Sequence, residues 1–135
     1  MRKVLPWVIV SMLGAGEIEI TIEGVKNANG ELSIGLYDEA KAFAKPNAKV
    51  VKGVFVKASQ GTMVVKLVNI PDGVYAVSLF HDQNSNQKLD TNFLGMPIEG
   101  YGFSNNVYPM FRSASFEEAR FELMGTKEMS ISVHY

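Results

Sequence analysis

Cysteine is absent from all 135 residues, which removes disulfides, thiolate chemistry and cysteine-ligated metals from the functions open to this chain. The acceptor residue of a bacterial lipoprotein anchor goes with it. Charge of one sign is also lacking: 13 Lys+Arg face 14 Asp+Glu, so the basic footprint of a nucleic-acid binder is missing and no nucleic-acid partner is expected. The main apolar run, Val4 to Leu13, is interrupted by Pro6 and reaches about half the roughly twenty residues that a spanning helix needs, so no stable membrane span is expected. Low-complexity tracts are missing too. With 47% hydrophobic and 20% charged residues, the chain can bury enough apolar surface to fold as one domain.

What is present begins with a secretory pattern. Arg2 and Lys3 precede the apolar stretch, and Gly14-Ala15-Gly16 supplies small residues at its exit. Residues 1–16 read as a signal peptide and 17–135 as a single mature domain, periplasmic or secreted, with eleven basic against fourteen acidic residues. An alternative makes Val4 to Val10 a genuine N-terminal strand.

From Glu17 onward the hydrophobic period is two, the mark of strands with one buried face. Ile18, Ile20 and Ile22 alternate with polar residues, as do Leu32, Ile34 and Leu36, and the Asn29-Gly30 pair between these runs predicts a hairpin. Asp38 to Lys49 predicts a connective segment with a short helical turn stopped before Pro46. Further strands are predicted over Gly53 to Ala58, Thr62 to Val68, Val74 to Phe80, Glu117 to Leu123 and Lys127 to Tyr135, with turns at Ser59-Gln60-Gly61 and Pro71-Asp72-Gly73. About seven short strands predict an all-β fold, a two-sheet antiparallel sandwich of immunoglobulin-like or transthyretin-like kind with one long functional loop. The closing strand, with Met129, Ile131, Val133 and Tyr135 on one face, also bears a superficial likeness to that of outer-membrane barrels, but strands of about six residues fall short of the roughly nine to eleven such barrels use.

The loop spans His81 to Arg112, longer than most connections within compact domains. Oxygen side chains at Asp82, Asn84, Asn86 and Asp90, with the Lys88 carbonyl between, follow the spacing by which a tight loop turns ligands onto Ca²⁺. Gln87 stands where a glycine makes the sharp turn, and Phe93 where a bidentate glutamate closes an EF-hand, so the last ligands would come from Asn92, Glu99 or water. The competing reading is an Asx-rich turn bonded to its own backbone. His81 falls on the buried face of its strand and reads as structural, as does His134. An enzymatic alternative uses His81, Asp82 and Glu99 as acid/base groups on cell-envelope carbohydrate or peptide. Five of the fourteen aromatics, Phe93, Tyr101, Phe103, Tyr108 and Phe111, then follow; they either pin the loop to the sandwich or present Phe93, Tyr101, Phe103 and Tyr108 as a binding surface.

Ile70-Pro71-Asp72-Gly73-Val74-Tyr75-Ala76-Val77 followed by HDQNSNQKLDTNFLGMPIEGYGFSNN resembles the bacterial secreted family known as domain of unknown function 2141. The resemblance extends from the opening strands to the closing Phe116-to-Tyr135 segment, and Gln87, where the loop favours glycine, is the clear departure. The turn, strand and Asp/Asn loop are also locally similar to the B-type repeats of Gram-positive surface adhesins, which implies a calcium loop on a binding or scaffolding module. The expectation is a non-enzymatic exported module with a Ca²⁺-binding-like loop and an envelope or extracellular ligand.

Overall fold

A computed structural model of the chain describes residues 16–45, 48–86, 88 and 99–135. Its strands are β1 (Gly16–Val25), β2 (Glu31–Tyr37), β3 (Lys52–Lys57), β4 (Gly61–Ile70), β5 (Gly73–Asp82), β6 (Tyr101–Phe103), β7 (Phe121–Leu123) and β8 (Thr126–Ser132), with a 3-10 turn at Ser104–Asn106 and a short helix α1 (Phe116–Ala119). They form two sheets, ordered β4-β1-β8 and β3-β2-β5-β6, with β7 also pairing β5. The all-β sandwich expected from the period-two pattern is therefore the fold. Its eighth strand, β6, lies inside the segment read as loop. Residues 1–15, where the leader and its alternative strand fall, lie outside the described residues; Gly16 already pairs with Ile70.

The alternating positions point inward as their period requires. Ile18, Ile20 and Ile22 of β1 and Leu32, Ile34 and Leu36 of β2 are buried in one core with Val65, Leu67, Val77, Leu79 and Ile131. Each such aliphatic side chain removed from water contributes roughly 1.5–3 kcal/mol. Pairing is antiparallel throughout except between β1 and β8, which run parallel with Ile20 opposite Met129 and Ile22 opposite Ile131. Strands β1, β4 and β5 each reach ten residues, longer than expected, and build two separate sheets.

The predicted β1–β2 hairpin is not formed. β1 pairs with β4 and β8, whereas β2 pairs with β3 and β5, so the Asn27–Gly30 corner carries the chain from one sheet to the other. The corner is tied to the end of β5 instead: Asn27 Nδ2 donates to Gln83 Oε1 (3.1 Å), and a Cβ on Gly30 would stand 2.0 Å from the Asp82 carbonyl. At φ +66° and with no room for a side chain, Gly30 is required there. The turns after β3 and β4 also switch sheets.

The outer face of the larger sheet is covered by a second core. Tyr37, Phe43, Ala76, Phe103, Phe116 and Ala119 pack together, with Phe43 edge-on to Tyr37 and Phe116 at centroid distances of 5.4 and 6.0 Å. Residues 38–45 supply Phe43 from a run of turns in which the Ala42 and Lys45 amides donate to the carbonyls of Glu39 and Ala42, in keeping with the short helical turn expected before Pro46. Strand was expected from Glu117, but the chain first makes α1, because Ser115 and Glu118 form a reciprocal capping box. The bidentate Arg112 guanidinium, followed by the Ser115 amide, holds the Glu118 carboxyl down to about 2.

Three consecutive side chains join the layers. Buried Ser104 accepts from the Val77 amide (2.9 Å) and donates to the Ala119 carbonyl (2.6 Å). Asn105 donates to the carbonyls of Glu118 and Arg120 at 3.1 and 2.9 Å. Asn106 imitates a strand neighbour for β8, accepting from Ser132 N–H (2.9 Å) and donating to the Ser130 carbonyl (3.2 Å). Asn105 and Asn106 both adopt left-handed backbone, at φ 63° and 50°, a conformation asparagine tolerates better than most residues. In chemical denaturation, Ser104→Ala is expected to lower unfolding stability by about 1–3 kcal/mol, because two buried backbone groups lose their partner, and Asn106→Ala by about 1 kcal/mol at a more exposed edge.

Candidate functional site

β5 carries Tyr75, Val77 and Leu79 into the core, and the same parity brings His81 in behind them with no solvent exposure. Its Nε2 lies 2.6 Å from the Asn29 carbonyl and its Nδ1 2.7 Å from Tyr135 Oη. A carbonyl only accepts, so Nε2 carries the hydrogen. Tyr135 Oη accepts the Lys26 amide (2.8 Å) and is therefore free to donate to Nδ1. One imidazole thus links the inter-sheet corner, the strand end and Tyr135, and its structural reading from parity agrees with this geometry.

Asp82 follows, also without solvent exposure, and Glu99 is 5% exposed. Asp82 Oδ1 accepts the Asn86 amide at 3.1 Å, while Glu99 Oε2 accepts the Gln83 amide at 3.0 Å. The two carboxylates therefore bracket the root of the loop. Within it, Asn84 Oδ1 accepts from Asn86 N–H (3.2 Å) and Asn86 Oδ1 from Lys88 N–H (3.1 Å), an Asx ladder with Ser85 in left-handed backbone at φ 55°. These contacts bring Asp82, Asn84, Asn86 and Lys88 into one tight turn. Asp90, Asn92 and Phe93, expected as ligands and as binding surface, lie outside the described residues. Among the described residues no group of three or more His, Cys, Asp or Glu converges as a metal cluster.

The aromatic residues divide. Phe103 lies in the second core, 5% exposed. Tyr101 and Tyr108 are half-buried. The Tyr108 ring lies 3.4 Å from that of His134, centroid to centroid, and its hydroxyl donates to the Ser132 carbonyl. His134 and Tyr101 exchange backbone hydrogen bonds at 2.9 Å, so the chain end crosses from the smaller sheet to the larger. Gly100 admits this crossing, since a Cβ there would stand 2.4 Å from the Tyr135 ring. Tyr135 is the participant that sequence reading missed: it is 54 positions from His81, and no local pattern connects them.

Tyr135→Phe is expected to destabilise the protein by about 1–3 kcal/mol in urea, because it leaves the Lys26 amide and His81 Nδ1 without their shared hydroxyl. Burial, then the neighbouring Tyr101, pushes the Tyr108 phenol from 10.0 up to about 12. Folding thus favours the neutral phenol. The stability it contributes is complete below pH 10 and is lost as pH rises toward 12, which an ultraviolet phenolate titration alongside alkaline melts should follow and Tyr108→Phe should remove.

The family model for an uncharacterized protein conserved in bacteria, DUF2141, matches residues 20–132. That interval takes in both sheets, the His81–Lys88 turn and the Ser104–Asn106 clip. No curated protein and no solved structure matches the chain. With nearly the whole sandwich inside the matched interval, the chain belongs to the DUF2141 family of uncharacterized proteins conserved in bacteria.

Proposed function

We propose that this domain is a non-enzymatic exported module, periplasmic or secreted, that binds or scaffolds an envelope or extracellular ligand, and that its Asp82–Asp90 loop takes up Ca²⁺. The observation that carries the first part is the engagement of His81. Both ring nitrogens are held at 2.6–2.7 Å and the ring is fully buried, so the best-placed proton carrier is committed to architecture. Asp82 and Glu99, its partners in an acid/base reading, are buried at the loop root. General acid/base work requires a group within reach of substrate. Export rests on the charged, apolar and small-residue succession of residues 1–16. Among the described residues no helix is long and apolar enough to cross a membrane.

The loop suits a hard cation by the chemistry of its donors. Asp82, Asn84 and Asn86 offer side-chain oxygens and Lys88 a carbonyl. Carboxylate, amide and carbonyl oxygens are the donors that Ca²⁺ accepts. Few carboxylates imply weak binding, with Kd on the order of 0.1–1 mM as in extracellular modules.

Metal-stripped protein should gain about 1.4–2.7 kcal/mol of stability at about 10 mM Ca²⁺, read as a melting shift of several degrees with saturable heat in calorimetry. Asn84→Ala/Asn86→Ala/Asp90→Ala should abolish both signals. It leaves Asp82 in place, so the fold keeps its buried carboxylate. No heat and no shift would reduce the loop to an Asx-rich structural turn.

A further inference from the structure

Beyond the loop, the most exposed large apolar side chains of the described residues are adjacent: Met110 at 78% and Phe111 at 80%. Phe111 adopts left-handed backbone at φ 67°, an outlier for a bulky residue that persists only where the surroundings impose it. Both sides of this tip are anchored. Before it, Tyr108 stacks on His134 and donates to the Ser132 carbonyl. After it, Arg112 grips Glu118 through two hydrogen bonds of 2.8 and 2.9 Å. An aromatic side chain held outward on a fixed stem has little conformational freedom to lose on docking, as interface anchors require.

Next to the tip the same molecule has a receptor. A groove of about 270 Å³ is floored by Phe43, Phe116, Ala40, Ala44 and Ala114 and begins at Ser113, two residues beyond Phe111. That volume lies below the roughly 300–1,000 Å³ of small-molecule sites and suits one or two side chains. Lys45 and Glu117 stand on its walls, and Arg112 and Glu118 on the stem. The rim therefore carries both signs: a second copy meets no net repulsion, and an anionic lipid surface finds no cationic excess. Because tip and groove adjoin, a twofold axis near Ser113 would let each of two copies fill the other's groove, a closed arrangement.

The geometry points to homodimerisation by this exchange, with Phe111 of each copy entering the Phe43/Phe116 groove of the other. Each aromatic ring buries about 150–250 Å²; with Met110 and the groove walls the total is on the order of 1,000 Å², at the lower edge of specific interfaces. The dimer is accordingly weak and concentration-dependent.

Sedimentation equilibrium on the purified protein, from about 5 to about 500 µM, tests this in the range a weak interface occupies. The average mass should climb from monomer toward dimer. Phe111→Gly should stay monomeric at every concentration while melting at or above the parent temperature, since glycine accepts the left-handed backbone without strain. Ala40→Trp, at an exposed groove position, should also stay monomeric. An equimolar mixture of the two should regain partial association, one tip meeting one open groove. A parent that remains monomeric throughout, or a dimer that survives both substitutions, overturns the proposal. So would a monomer that floats with phosphatidylglycerol vesicles only when Phe111 is present, which would assign the tip to lipid.

Discussion

Two β-sheets that meet only through apolar side chains can slide, because the hydrophobic effect is non-directional. Directed hydrogen bonds at Ser104, Asn105 and Asn106 tie the chain after β6 to β5, to the end of α1 and, through Asn106, to β8 of the other sheet. Ser104 takes an amide from β5 and gives its proton to the end of α1; Asn105 caps the same chain reversal; Asn106 completes the open edge of β8. Each bond alone contributes about 1 kcal/mol. Asn106 and the Tyr101–His134 backbone pair hold the end of β8 beside β6, and Tyr135 follows directly.

That arrival governs the loop. The Tyr135 hydroxyl holds the His81 imidazole, whose other nitrogen holds the Asn29 carbonyl, and Asp82 and Gln83 follow directly on β5. The Asx turn is thus rooted in buried polar contacts gathered from distant parts of the chain. A loop with such a root can be tight where it joins the sandwich and still expose Asn84 and Asn86 to solvent. A buried base is thus separated from a solvent-exposed rim.

The period-two pattern made the two inner faces legible. Ile18, Ile20, Ile22, Leu32, Ile34, Leu36, Val77 and Leu79 could all be placed inward from sequence, and His81 with them by parity. Alternation reports which way a side chain faces but not which strand lies beside it. The Asn29-Gly30 signal therefore suggested a hairpin where the chain changes sheets; the deciding contacts, from Asn27 to Gln83 and from Asn29 to His81, join residues more than fifty positions apart. The β6 strand was hidden because three residues hold too little alternation to register. The α1 helix was legible in principle, since Ser115 and Glu118 have the spacing of a capping box, but Phe121 and Leu123 drew the strand assignment forward across it. The Asp/Asn loop was visible as a cluster of oxygen donors. That Asp82 is buried, and that Glu99 returns to its root, depended on tertiary placement.

The parallel pairing of β8 with β1 has a consequence for how the fold is reached. The first described strand waits for the last before its sheet has a third member, and the short connections from β1 to β2, β3 to β4 and β4 to β5 each lead into the other sheet. Loop-closure entropy must therefore be met before most pairings form, which places the domain among slow, non-local folders. Until residues 126–135 are available, β1 lacks one edge, His81 lacks its hydroxyl and Tyr108 lacks the ring it stacks on. A chain short of residue 126 can pair β4 with β1 but leaves the other edge of β1 uncovered.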